Sequence, residues 1–119
     1  MLSPSVLAFV GDAVYGLYVR TALADTSRPS GELHKMSAAV VNAAAQAKAF
    51  SVIEPNLTEK ELSVFKRGRN FHTSSTPKNA SNSDYHTATG LECLFGWLYL
   101  SGDNERAGEL FKQIWEFRD

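Results

Sequence analysis

The chain has 119 residues, which suits one domain, and 44% of them are hydrophobic, enough to build a core without disulfides or structural metals. Its single cysteine excludes an intrachain disulfide, and its net charge of −1 argues against a uniformly basic nucleic-acid-binding protein. The N-terminus lacks the pattern of a signal peptide, and no uninterrupted apolar run reaches the roughly 18 residues of a membrane span. We therefore expect a cytoplasmic protein without a membrane partner.

The first predicted helix begins at Ser3-Pro4, because serine is a favoured N-cap and proline is favoured at the first helical position. Gly11 and Gly16 each disfavour an isolated helix by about 1 kcal/mol relative to alanine, so we expect another backbone to approach closely. The apolar residues recur at helical spacing, which predicts a helix that is buried on most sides. They are Val6, Phe9, Val10, Ala13, Val14 and Leu17.

The middle of the chain predicts three helical segments separated by polar residues. After a loop over residues 25–31, Ser30 can cap a second helix. An alanine-rich run continues helical after a break near Asn42. Thr58 and Glu61 have the spacing of a capping box, and the helix that they open should run to about Gly68.

The last third of the chain predicts two helices after a polar loop over residues 70–83. Asp84 can start a second apolar helix, which contains Glu92 and should stop near Gly102. Asp103 can cap a final amphipathic helix, whose inner face is predicted to carry Ala107, Leu110, Phe111, Ile114 and Trp115. Because strand alternation is nearly absent, the sequence predicts an all-α single domain, residues 1–119, of about six helices.

Two carboxylates stand out because each lies among apolar and small residues of a predicted helix. A buried charge is costly unless it has a partner, a metal or access to water. Asp12 and Glu92, one acid on each of two helices, predict a divalent-metal site shared between those helices. The alternative for Asp12 is a helix position that faces solvent. Thr89 lies three residues before Glu92 on the same helix face. It could contact a water of the metal's coordination shell, or it could only pack, and the residues leave both alternatives open.

Several motifs in the chain resemble the ribonuclease III family, and they occur in the family's order. The first helix is similar to the signature helix of the ribonuclease III catalytic domain over Phe9-Val10-Gly11-Asp12-Ala13-Val14. A second segment of the chain resembles that domain's second acidic helix. It is Leu91-Glu92-Cys93-Leu94-Phe95-Gly96-Trp97-Leu98-Tyr99-Leu100. Four intervening motifs resemble the Mini-III subgroup: Leu33-His34-Lys35, Gln46-Ala47-Lys48, Lys66-Arg67-Gly68-Arg69-Asn70 and Thr76-Pro77-Lys78-Asn79.

The resemblance covers nearly the whole chain and implies a specific enzyme. It implies a ribonuclease III-like helical domain without a double-stranded-RNA-binding domain, and a homodimer formed around the first helix. It also implies Mg²⁺-dependent cleavage of double-stranded RNA and maturation of the large ribosomal RNA precursor. Asp12 and Glu92 are then the catalytic and metal-binding residues. The chain departs from the larger enzymes of the family where Ala8, Ala43 and Thr89 replace further acids.

The RNA-binding residues implied by the resemblance are Lys66, Arg67, Arg69, Asn70, His72, Thr76, Lys78, Asn79, His34 and Lys35. Residues 62–83 contain basic side chains and no acid, which is the local charge pattern that an RNA contact needs. A solvated helix end, favoured by the helix dipole, is the alternative explanation of that charge. The alternative function is a non-catalytic RNA-binding module with a degenerate ribonuclease III fold, which predicts loss of the two metal acids.

Overall fold

The computed structural model describes residues 1–24, 27–71 and 81–118. These residues form six α-helices and no strand, which confirms the predicted all-α class. The helices are α1 (Pro4–Leu23), α2 (Ser30–Val40), α3 (Ala43–Ile53), α4 (Glu59–Arg69), α5 (Asn82–Leu100) and α6 (Asn104–Glu116). A short 3₁₀ turn, Glu54–Asn56, connects α3 to the loop before α4.

Local capping explains where most of the helices begin. The Ser3 hydroxyl accepts the Val6 N–H at the start of α1, and Asp103 accepts the Arg106 N–H at the start of α6. Thr58 and Glu61 form the predicted capping box, in which each side chain accepts the other's backbone N–H. Each of these caps was predicted from the sequence.

Two helix starts differ from the sequence prediction. Helix α5 begins at Asn82 rather than at Asp84, because the Ser81 hydroxyl accepts the Asp84 N–H and caps the helix earlier. Helix α2 begins at Ser30 itself, with Pro29 in the N-cap position and no side-chain cap. Proline is compatible with this position, because its fixed φ matches the observed value of −66°.

Helix α5 occupies the centre of the domain and packs against α1, α3 and α4. The backbones of α1 and α5 touch where Gly11 crosses Gly96. A Cβ atom on Gly11 would lie 1.6 Å from the Glu92 carbonyl oxygen, and one on Gly96 would lie 2.0 Å from the Leu7 carbonyl oxygen. The predicted close approach of another backbone is therefore confirmed for Gly11. It is wrong for Gly16, where a Cβ atom would lie 2.8 Å from the Arg20 guanidinium rather than near another backbone.

The burial of α1 differs from the prediction. Its inner face consists of the crossing glycine and its helical neighbours Leu7, Tyr15 and Val19, because only the glycine side lets α1 approach α5. The apolar stripe predicted to face inward is largely exposed: Phe9 is 80% and Leu17 66% accessible, with Val6 also exposed. By length and hydropathy α1 could also cross a membrane, contrary to the expectation from its interrupted apolar run. Of its most apolar 18-residue stretch, 28% is buried, and α1 packs against α5.

A buried ion pair fastens α6 to the rest of the domain. The Glu61 side chain is almost fully buried and receives two hydrogen bonds from the Arg106 guanidinium, at 2.8 and 2.9 Å. The same guanidinium donates to the Asn56 carbonyl oxygen at 2.9 Å. These bonds connect α6, α4 and the 3₁₀ turn. The inner face of α6 is as predicted, except that Trp115 is only half-buried.

Candidate active site

The two predicted acids meet in one cleft beside the crossing of α1 and α5. Asp12 follows the crossing glycine of α1, and Glu92 supplies the carbonyl oxygen that this glycine approaches, so the crossing places the acids together. The cleft has a volume of 280 Å³. Apart from one alanine, its walls consist of polar and aromatic side chains; the lining residues are Ser5, Ala8, Phe9, Asp12, Phe71, Tyr85, Thr89 and Glu92.

Among the described residues that line the cleft, none carries a positive charge that could neutralise Glu92. Burial is the main cause that raises the pKa of Glu92 from its usual 4.5 to about 7, and the neighbouring Asp12 carboxyl raises it further. A hydrogen bond from Gln46 acts in the opposite direction. Asp12 itself is exposed at the cleft. A cation bound between the two acids would relieve both the desolvation and the repulsion.

Gln46 is the site residue that the sequence analysis did not identify. It lies in α3, only 4% of it is accessible, and its Nε2 donates to Glu92 Oε2 at 3.3 Å. The available signal was a single amide side chain within an alanine-rich run, in the motif Gln46-Ala47-Lys48. A buried amide needs a hydrogen-bond partner, but helical periodicity does not indicate which partner it finds.

Thr89 lies in the wall of the cleft, one turn before Glu92. Its hydroxyl donates to the Tyr85 carbonyl oxygen at 3.0 Å, a common arrangement for threonine within a helix. Because the hydroxyl hydrogen is engaged, only the oxygen remains to accept a hydrogen bond from a water in the cleft.

The donor set of the cleft fits a hydrated Mg²⁺ ion. Mg²⁺ is held by one or two carboxylates and keeps several waters in octahedral geometry, whereas structural zinc needs four nitrogen or sulfur ligands. Within residues 1–24, 27–71 and 81–118 there is no group of three or more His, Cys, Asp or Glu side chains placed to hold a metal. Even a complete octahedral shell of six waters would occupy roughly 180 Å³ at about 30 Å³ each, so the cleft of 280 Å³ has room for the fewer waters of a carboxylate-bound ion.

The basic residues at the end of α4 lie next to the cleft in sequence. Lys66, Arg69 and Asn70 are exposed, and Phe71 immediately afterwards lines the acid cleft. Arg67 is half-buried, and its guanidinium contacts the Met1 sulfur and the Leu2 carbonyl oxygen. Part of the predicted RNA surface is thus exposed, with Arg69 donating to the Asn70 side chain at 3.1 Å, while Arg67 also holds the N-terminal residues against α4.

The remaining predicted RNA-binding residues are either elsewhere or outside the described residues. His34 and Lys35 are exposed on α2, and His34 lines a separate cleft with Arg20 and Leu33. Neither residue lines the acid cleft. The predicted contacts His72, Thr76, Lys78 and Asn79 lie outside the described residues.

The fold and the site define an all-α domain with a carboxylate pair between its central helices and a basic helix end beside it. Residues 5–103 match the family model described as "Ribonuclease III domain", so the chain belongs to the ribonuclease III family. This membership confirms the predicted class of enzyme, an endoribonuclease.

Similar proteins agree in name and in fold. The chain is 47% identical to a Mini-ribonuclease 3 of Thermoanaerobacter sp. over 106 residues, 88% of this chain and 75% of that protein. It is 46% identical to a Mini-ribonuclease 3 of Brevibacillus brevis over 114 residues, 95% of this chain and 85% of that protein. A crystal structure of a Fusobacterium nucleatum protein superposes with a TM-score of 0.86 at 29% identity, covering 92% of this chain and 90% of that one.

Proposed function

We propose that the chain is a Mg²⁺-dependent endoribonuclease of Mini-III type that cleaves double-stranded RNA in the cytoplasm, with the large ribosomal RNA precursor as its substrate. The observation that carries this proposal is the pairing of Asp12 with a half-buried Glu92 in one open cleft. Two adjacent carboxylates are suited to a divalent ion, and the described residues that line the cleft include no cationic side chain. The names of the similar proteins support the choice of RNA as substrate.

Asp12 and Glu92 would hold the ion from opposite helices. Bound Mg²⁺ supplies two things to phosphodiester cleavage: activation of a water and neutralisation of the charge that develops on the phosphate oxygens. The chain's own contribution is orientation. The close contact of α1 with α5 at Gly11 places Asp12 in the cleft beside Glu92. The hydrogen bond from the buried Gln46 restrains the Glu92 carboxylate. Partial burial strengthens every electrostatic interaction in the cleft relative to water.

The basic end of α4 would hold the RNA backbone. A-form RNA is bound mainly through phosphates and 2′-hydroxyl groups, which suits exposed lysine, arginine and asparagine side chains. Lys66, Arg69 and Asn70 have this exposure and lead directly into the acid cleft. The proposal retains Arg67, His34 and Lys35 as further contacts, together with the residues of the segment 72–79. Residues 1–119 would then act as one catalytic domain that holds its own substrate.

A second copy of the chain would cover the exposed stripe of α1. Phe9, Ala13 and Leu17 follow one another at intervals of four residues and are all exposed, so they form one continuous apolar face. Exposed apolar faces of this kind mark interfaces, and a twofold dimer brings the same face of two copies together. Because Phe9 also lines the acid cleft, such a dimer would place two active sites beside its interface.

The test is cleavage of a uniform RNA duplex by the purified protein, with Mg²⁺ or with EDTA. We expect cleavage only with Mg²⁺, and no cleavage by Asp12→Asn or Glu92→Gln, which keep size but remove charge. Glu105→Gln, an exposed acid at the start of α6, is the matched control and should cleave normally. Wild-type activity in EDTA, or full turnover by either site variant, would contradict the proposal. To test the substrate, cleavage of a ribosomal RNA precursor transcript is compared with cleavage of an unrelated duplex of equal length at equal concentration.

A further inference from the structure

We propose that Gln46 is a positioning residue, whose amide holds the Glu92 carboxylate in the orientation that the divalent cation requires. This inference rests on the proposed function, because it assumes that Glu92 is a metal ligand. Gln46 does not line the acid cleft, and it would act on the cation only through Glu92.

The burial of Gln46 is the first observation. Most of the buried residues of α3 are apolar, namely Ala49, Phe50 and Ile53, and Gln46 is buried with them at 4% accessibility. Placing an amide there costs free energy unless it is hydrogen-bonded, and an alanine or leucine would avoid that cost. Among the described residues, the hydrogen-bond partner of this side chain is the Glu92 carboxylate.

The direction of the hydrogen bond is the second observation. An ionised carboxylate only accepts, so the Gln46 nitrogen rather than its oxygen must face Glu92. The bond of 3.3 Å involves one carboxylate oxygen, Oε2. A carboxylate has acceptor sites on both oxygens, so this single bond leaves capacity for a cation.

The rigidity of α3 is the third observation. Asn42 caps the helix by accepting the Ala45 N–H at 2.9 Å, and the Gln46 N–H bonds to the Asn42 carbonyl oxygen at 2.9 Å. One turn further on, Phe50 stacks on Phe65 of α4 with ring centroids 3.6 Å apart. The Gln46 amide therefore extends from a helix that is held in place by its N-terminal cap and by the packing of Phe50. A Glu92 side chain without this hydrogen bond would be free to rotate and would lose conformational entropy on binding a cation. The bond from Gln46 reduces that loss.

Gln46→Met is the main test variant, since it keeps the length of the side chain and removes the donor. Mn²⁺ binding to the RNA-free protein, followed by electron paramagnetic resonance, measures the site without any activity. We expect Mn²⁺ affinity to fall 10- to 100-fold, the range typical when a residue that orients a metal ligand is removed. On duplex RNA, kcat at fixed low Mg²⁺ should fall by a similar factor while the KM for RNA stays unchanged. Raising the Mg²⁺ concentration should restore part of the rate.

Two further variants make the result specific. Gln113→Met is the matched control, because Gln113 also uses its amide in a side-chain hydrogen bond, to Asn56, but on α6. It should leave Mn²⁺ affinity and kcat unchanged. Gln46→Asn retains an amide but is one methylene shorter, and since the 3.3 Å bond is already long, the shorter side chain cannot reach. It should lose Mn²⁺ affinity like Gln46→Met, and it provides the test if the methionine variant does not fold.

The outcomes separate this inference from the proposed function. If Asp12→Asn weakens Mn²⁺ binding but both folded Gln46 variants bind as tightly as the wild type, the positioning role is refuted and the metal site stands. A change in the KM for RNA with unchanged Mn²⁺ affinity would also refute it, since Gln46 would then act on the substrate. If Asp12→Asn does not alter Mn²⁺ binding, the proposed metal site itself fails.

Discussion

Replacing Glu92 by glutamine should stabilise the metal-free protein while it abolishes cleavage. Burial and the nearby Asp12 carboxyl raise the pKa of Glu92 from 4.5 to about 7. Because the folded-state pKa of Glu92 lies above the unfolded one, the contribution of Glu92 to stability is most favourable below pH 4.5, where this residue is protonated in both states. Stability then falls as the pH rises towards 7, and the loss is complete above it. Glu92→Gln is neutral at every pH and avoids this loss.

The size of the effect follows from the same pKa values. A tenfold change in proton affinity corresponds to about 1.4 kcal/mol, so ionised Glu92 destabilises the folded chain by about 3 kcal/mol at most. For a domain of this size, 1 kcal/mol shifts the melting temperature by roughly 4 °C, so Glu92→Gln should melt up to about 12 °C higher at pH 8. At pH 4 the two proteins should melt together. The hydrogen bond from Gln46 survives the change, since a glutamine oxygen also accepts.

Thermal unfolding followed by circular dichroism, in EDTA at pH 4 and pH 8, is the assay. Millimolar Mg²⁺ should raise the melting temperature of the wild type at pH 8 and leave that of Glu92→Gln nearly unchanged, because only the wild type gains a bound ion. Glu105→Gln, an exposed acid, should change stability by less than about 0.5 kcal/mol. If Glu92→Gln melted below the wild type at pH 8, the two acids would not form a strained pair and the electrostatic reasoning would be wrong.

Three further predictions concern RNA binding, assembly and stability. Replacing Lys66 and Arg69 by alanine should reduce the slope of log affinity against log salt by about 2 for any duplex sequence, measured with Ca²⁺ in place of Mg²⁺ if Ca²⁺ blocks cleavage. Leu17→Glu should turn a dimer of twice the 13.1 kDa chain mass into a monomer in sedimentation, because it charges the apolar face of α1. Glu61→Gln should cost roughly 3 kcal/mol in urea unfolding at pH 7, since it leaves the Arg106 charge without its main partner. The Arg106 hydrogen bond lowers the pKa of Glu61, so this stabilisation exists above about pH 4.5 and disappears as the pH falls below it.

The predictions on the salt slope and on the dimer each have a control on another part of the surface. Lys112→Ala removes an exposed lysine of α6 and should leave the salt slope unchanged. Phe117→Glu alters a residue that is 68% accessible beyond α6 and should leave the dimer intact. An unchanged salt slope after the Lys66 and Arg69 replacements would mean that RNA binds through another surface. A wild type that sediments as a monomer at micromolar concentration would contradict the dimer.

Much of the helical architecture was determined by the sequence alone, because helix ends depend on local chemistry. Ser3, Thr58 and Asp103 each act within three residues of the N–H that they accept, and all three were predicted from their neighbours. The start predicted at Asp84 was wrong because several possible capping residues, 81–84, follow one another there. Ser30 was expected to cap α2 but is its first helical residue, after Pro29. The motifs around Asp12 and Glu92 were sufficient to identify the family, since their order and spacing are properties of the chain.

Only the tertiary structure decided which face of α1 is buried and what supports the acids. Periodicity finds the most apolar stripe of a helix, and on α1 this stripe includes Phe9 and Leu17, yet both are exposed. The buried face is instead the one that contains Gly11, because close approach to α5 requires the absence of a side chain rather than a large one. Likewise, Gln46 and Glu92 are 46 residues apart and meet only because α3 packs on α5. A contact between distant residues depends on how the helices cross, and no local pattern contains that information.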